Sequence, residues 1–187
     1  MADLYPIHRF RTPTEVMFGR GCVEQAGIAA KRFAGDRVLL VTDRGVVGAG
    51  PLDRVTAPLA AAGLRYDVFD GVEPNPSIET VGRGLAAFRS AGAEAIVAIG
   101  GGSSIDAAKA ISILATNGGD IVDYEGADKI AKPNVPLVAI PTTAGTASEV
   151  TIFFVITNRA TKYKFSGGSV NATARIALLD PLLTESM

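Results

Sequence analysis

Residues 95–111 read AIVAIGGGSSIDAAKAI, and their pattern decides the fold. Ala95-Ile96-Val97-Ala98-Ile99 is a short run of small and branched apolar residues, suited to a strand buried on both faces. Gly100, Gly101 and Gly102 follow, and Ser103-Ser104 opens a helical pattern in which Ile105, Ala108, Ile111 and Ser112 recur three and four apart. Strand, glycine turn and helix together aim free backbone N–H groups at an anion. The helix dipole adds about half a positive charge at that end. Glycine tolerates positive φ and lets a phosphate approach the backbone. A glycine-rich turn with no ligand is the plainer alternative. The stretch has neither the GxxxxGK[ST] of a P-loop nor the GxGxxG spacing and downstream acid of an ordinary dinucleotide turn.

Outward from this unit, strands and helices alternate. Val38–Thr42 is the clearest other buried strand, and it ends at Asp43. Strands are also expected at 14–18, 65–69, 136–140, 151–157, 162–165 and 175–179. Helices are expected at 22–33, at 52–62 with an interruption near Pro58, and from an N-cap at Ser77 to about Ser90. Such alternation predicts an α/β fold, a parallel sheet with helices on both faces.

Composition narrows the function. The 187 residues carry a net charge of −1 with dispersed charges, which gives no electrostatic case for nucleic acid or an anionic membrane. There is no apolar leader at the N-terminus and no apolar run of spanning length, so no membrane role is expected. A single cysteine, Cys22, rules out an internal disulfide and suits a reducing cytoplasm. His8 is the only histidine, so a multi-histidine metal site cannot be assembled from these residues, and no catalytic or metal-ligating residue is assigned. Leu182–Met187 reads as the start of a helix that continues, which predicts that more chain follows.

In an open parallel sheet the ligand sits at the carboxyl ends of the strands. Three candidates fall there. Asp43 could accept both hydroxyls of an adenosine ribose and repel a 2′-phosphate, or simply cap a turn. Residues 100–106 could hold a pyrophosphate, with Asp106 either part of that site or complementing the helix dipole. The third is PTTAGTASEVT at 141–151, where five hydroxyl side chains crowd behind a strand.

GGGSSIDAAKAI, IPTTAGTASEVT and the closing ALLDP, with TDRGV and EPNPS, resemble the group III iron-containing alcohol dehydrogenases across essentially the whole chain. The resemblance is strongest to the branch with lactaldehyde reductase, 1,3-propanediol dehydrogenase and NAD-dependent methanol dehydrogenases. It implies that residues 1–187 are one Rossmann-like NAD-binding domain of the dehydroquinate synthase-like type. In the family an all-helical domain holding Fe2+ or Zn2+ follows, through one aspartate and three histidines that lie beyond ALLDP. These residues by themselves would then bind nucleotide and catalyse nothing.

By the same resemblance Asp43 binds the ribose and favours NAD, Asn75 lines the cleft, and Gly101, Gly102, Ser103 and Asp106 hold the pyrophosphate region. Thr142, Thr143 and Thr146 contact phosphates and the nicotinamide side, and Lys164 reaches a ribose. Ala147 stands where many members carry glycine, Phe153 where some carry a polar cofactor contact, and Asp180 ends a strand and is not the metal aspartate. The implied reaction interconverts a primary alcohol or diol and its aldehyde with NAD, in a cytoplasmic homo-oligomer. The alternatives are a glycerol dehydrogenase-like enzyme, a dehydroquinate-synthase-like lyase disfavoured by the 141–151 loop, or a non-catalytic nucleotide-binding module.

Overall fold

A computed structural model describes residues 12–185; His8 lies outside them. In chain order the elements are β1 (Glu15–Phe18), α1 (Ala26–Lys31), β2 (Arg37–Asp43), α2 (Arg44–Ala49), α3 (Asp53–Ala61) and β3 (Arg65–Val72). Then come α4 (Ile78–Ala91), β4 (Ala95–Gly100), α5 (Gly102–Asn117), β5 (Gly126–Ala127), β6 (Leu137–Pro141), β7 (Phe153–Asn158), β8 (Tyr163–Gly168) and β9 (Ile176–Leu179). Six strands form one parallel sheet in the order β1-β9-β6-β4-β2-β3.

The sheet is covered on both faces because its central strands alternate between two apolar cores. Leu39, Val41, Ile96 and Ala98 point to the side of α4 and α5. Val38, Leu40, Val97 and Ile99 point to the side of α1 and α3. The chain runs from β2 outward to β3, then returns to lay β4 on the other side of β2. The strand order therefore reverses between β2 and β4, and the crevice opens at their carboxyl ends.

Several elements differ from the sequence expectation. The helix after Asp43 is additional, a six-residue turn capped by the Asp43 carboxylate. Residues 22–33 begin as a 3-10 turn, Cys22–Gln25, before α1. Pro58 lies inside an unbroken α3, where its carbonyl packs on Gly27: a Cβ at Gly27 would come 2.0 Å from that oxygen. The 151–157 and 162–165 stretches do not join the main sheet. They form an antiparallel hairpin, β7–β8, which with β5 makes a separate three-stranded sheet. Residues 181–183 form a single 3-10 turn.

Helix α5 was expected to bury one stripe, yet every residue from Ser104 to Leu114 is buried. The sheet covers one side, α4 another and β7 a third. Gly84 of α4 makes the close crossing possible, since a Cβ there would come 2.2 Å from the Ile111 Cδ1.

Candidate nucleotide-binding cleft

A cleft of about 1140 Å³ lies over the β2/β4 reversal point. Of the residues expected from the sequence, Asp43, Gly101, Gly102, Ser103, Thr142 and Thr143 line it. The β4–α5 turn forms its floor. Gly100 has φ +148°, open to glycine alone, and a Cβ there would meet Ser104 Oγ at 2.5 Å and Asp43 Oδ2 at 3.0 Å. Gly101 stands at the cap position of α5 with no side chain to satisfy the first N–H groups of the helix. Hydroxyls crowd this turn from the 141–151 loop. A Cβ at Gly101 would lie 3.0 Å from Thr143 Oγ1, and one at Gly102 would lie 3.2 Å from Ser148 Oγ and 3.3 Å from Thr146 Cβ. The loop is tied down by the Thr142 N–H, which donates to the Gly100 carbonyl at 3.0 Å. Helix start, hydroxyls and glycines converge on one place, which suits a phosphate.

Asp43 stands on the other wall, half-buried. Its Oδ1 accepts from the Val46 N–H and its Oδ2 from the Ser104 hydroxyl, each at 3.0 Å. It is thus a helix cap and a cleft carboxylate at once. Asn75 and Lys164 meet beside Ser103, which lines the cleft, without lining it themselves. The Asn75 N–H donates to Ser103 Oγ at 3.2 Å, and Lys164 Nζ donates to Asn75 Oδ1 at 2.6 Å. Asn75 has φ +54°, a conformation asparagine tolerates better than most residues.

Asp106, like Asn75, Thr146 and Lys164, is not among the residues lining the cleft. It lies beneath the hydroxyl loop, where Oδ2 accepts from the Val155 N–H at 3.0 Å. Burial pushes its carboxyl up, opposed by the Lys109 charge and by hydrogen bonds from Ser148 and Val155. One turn on, Lys109 is fully buried and donates to the carbonyls of Thr151 at 2.8 Å and Phe153 at 2.7 Å. Its burial lowers the amine to about 8, against the pull of Asp106 and Glu149. These two side chains pin β7 and the end of the loop onto α5.

Glu73, Arg83 and Arg159 were not singled out in the sequence, yet they line the cleft. Glu73 accepts from the Ser77 N–H, the Thr80 hydroxyl and Arg159. Burial works against its charge, but the hydrogen bonds from Thr80 and Ser77 prevail and hold its carboxyl below the usual range. Together with the Thr157 N–H, which donates to the Pro76 carbonyl at 2.8 Å, this fixes the 73–77 loop against β7. The Pro-flanked EPNPS spelling was the available signal for a rigid loop; the partner, Arg159, had none. Asp180 is structural: it accepts from the N–H groups of Gly21, Val23 and Leu182.

The iron-containing alcohol dehydrogenase family model matches residues 13–181. The chain belongs to this family. Among proteins similar to it, lactaldehyde reductase of Escherichia coli is 42% identical over 91% of this chain and 45% of that protein. Alcohol dehydrogenase 4 of Schizosaccharomyces pombe is 44% identical over 86% of this chain and 38% of the relative. A crystal structure of 1,3-propanediol oxidoreductase superposes with a TM-score of 0.91 at 40% identity, covering 95% of this chain and 47% of that one. The chain thus spans less than half the length of these relatives.

Proposed function

We propose that residues 1–187 are one NAD-binding unit of an alcohol dehydrogenase that interconverts a primary alcohol or diol and its aldehyde. The observation that carries this is the pairing of Asp43 with the β4–α5 turn, 3.0 Å apart through Ser104. It brings a diol acceptor and an anion-binding turn to the two sides of one crevice. A dinucleotide has a ribose diol next to a pyrophosphate, so the residues present fit the cofactor. The 2′-phosphate of NADP would meet the Asp43 carboxylate and be repelled, hence NAD.

When bound, NAD supplies C4 of the nicotinamide as acceptor for a hydride from the carbinol carbon. The chain's own residues hold and orient it. Ser103, Thr142 and Thr143 surround the phosphates, and Lys164, held by Asn75, reaches a ribose. Thr146 closes the turn from above, and Asp106 supports it through the loop. The family's metal, Fe2+ or Zn2+, does not fit here: among the described residues no group of three or more His, Cys, Asp or Glu could hold it. Relatives that act on lactaldehyde and 1,3-propanediol support a small alcohol or aldehyde as substrate. Among the described residues no helix is long and apolar enough to cross a membrane. We place the protein in the cytoplasm, as a homo-oligomer. The non-catalytic module is disfavoured by the agreement of both long motifs with dehydrogenases.

Titration with NADH and NADPH, read by nicotinamide fluorescence, tests the reading. Saturable NADH binding with weaker NADPH binding is expected. Absence of binding to either, or a preference for NADPH, overturns it.

A further inference from the structure

Asp43 can discriminate between cofactors only if its carboxylate is held at a fixed angle to the cleft. A carboxyl group turns freely about its last bond unless both oxygens are engaged, because that torsion is broad. Here each oxygen has one donor from the protein. Val46 N–H holds Oδ1 and the Ser104 hydroxyl holds Oδ2, both at 3.0 Å. An ionised carboxylate offers about four acceptor positions, so one on each oxygen is left for a ligand. Two acceptors on one carboxylate match the two hydroxyls of a ribose.

Ser104 is 1% exposed and lies on the first turn of α5, so its hydroxyl has little freedom. Gly100 makes the contact possible: the space its Cβ would fill is occupied by Ser104 Oγ and Asp43 Oδ2. The serine also ties the ribose side of the cleft to the turn that holds the phosphates. We infer that Ser104 is the positioning residue that gives Asp43 its power to select NAD over NADP. Ser104 has this role only if Asp43 meets the ribose, as proposed for the cleft.

The test measures dissociation constants for NADH and NADPH in the wild type, Ser104→Ala, Asp43→Gly and the double variant, with thermal melting alongside. Ser104→Ala is expected to lower the NADPH/NADH ratio of dissociation constants by about tenfold, the effect of losing one hydrogen bond to a charged group. In the double variant the ratio should equal that of Asp43→Gly, because Ser104 acts through the carboxylate. Ser104→Cys, which keeps the volume but donates weakly, should shift the ratio the same way and serves if alanine lowers the yield of folded protein. A wild-type ratio in the folded Ser104 variants overturns the inference, even if they melt earlier. So does a Ser104→Ala effect that persists in full without Asp43. If the wild type binds neither cofactor, or Asp43→Gly leaves the ratio unchanged, the ribose reading itself has failed and the role of Ser104 falls with it.

Discussion

Lys164 Nζ lies 2.6 Å from Oδ1 of Asn75, across 89 positions of sequence, and Asn75 in turn touches the first turn of α5 through Ser103. Two hydrogen bonds, one of them charged, thus link the β7–β8 hairpin, the 73–77 loop and the β4–α5 turn. Replacing Lys164 with alanine removes that link and, in the proposed reading, a cation that reaches a cofactor ribose. NADH affinity is expected to fall about tenfold, in line with a hydrogen bond to a charged group. Equilibrium fluorescence titration measures it, and unchanged affinity would mean that Lys164 does not reach the cofactor.

Asp43 caps α2, and the ribose role proposed for it can be separated from that cap. As a helix cap its replacement by glycine costs only a few tenths of a kcal/mol, since glycine is itself a tolerable cap. The buried Ser104 hydroxyl, however, loses its acceptor, at about 1–3 kcal/mol. As a ribose acceptor its loss should weaken NADH by about tenfold and strengthen NADPH by removing the repulsion. Asp43→Gly should therefore fold, with a melting temperature lowered by a few degrees, while its cofactor ratio shifts. A large drop in melting temperature with an unaltered ratio would leave Asp43 as a structural cap.

Lys109 makes a pH prediction. Its amine is lowered to about 8 by burial, against an ordinary value near 10.5. Between these two values the unfolded chain holds more protons than the folded one at this site, so the contribution of Lys109 to stability rises with pH. Below about 8 both states are protonated and the cost of burying the charge is present in full. Lys109→Met should remove this rising slope from the melting temperature between pH 8 and 10. It should also destabilise the protein by about 3 kcal/mol, because the Thr151 and Phe153 carbonyls lose their donor. A slope unchanged by the substitution would contradict the assignment to Lys109.

Ala147, in the hydroxyl loop, has φ +56°, the left-handed region that a Cβ disfavours. Ala147→Gly relieves that strain, at some cost in unfolded-state entropy. The net gain should be about 0.5–1 kcal/mol, or roughly 1–4 °C in melting temperature for a chain of this size. Differential scanning calorimetry would show it. A fall in melting temperature would mean that the loop is not strained at this residue.

Much of this was legible in the linear sequence. The buried strands at 38–42, 95–99 and 136–140 were evident because a strand covered on both faces shows as an unbroken apolar run. The cap at Ser77 was evident because a serine before an apolar periodicity has a specific hydrogen bond to make, and it makes it to the Thr80 N–H. The β7–β8 hairpin was visible as strand but not as a separate sheet. Periodicity reports which residues are buried, and not against which partner. For the same reason Asp106 and Lys109 could be placed on α5 but not beneath β7, and Arg159 carried no sign that it would meet Glu73 at 2.9 Å.

The sequence alone determined the order of the main strands and helices, though not α2 or β5, together with the glycine turn and the hydroxyl loop, since each depends on local backbone preference and on apolar spacing. Only the tertiary structure decided which side chains meet in and beside the cleft. Asp43 and Ser104 are 61 positions apart, and Asn75 and Lys164 are 89 apart. They meet because β2 and β4 are neighbours at the reversal of the sheet, and because the β7–β8 hairpin packs over α5. Such contacts are set by the sum of many packing interactions across the sheet, and no short stretch of chain contains that sum.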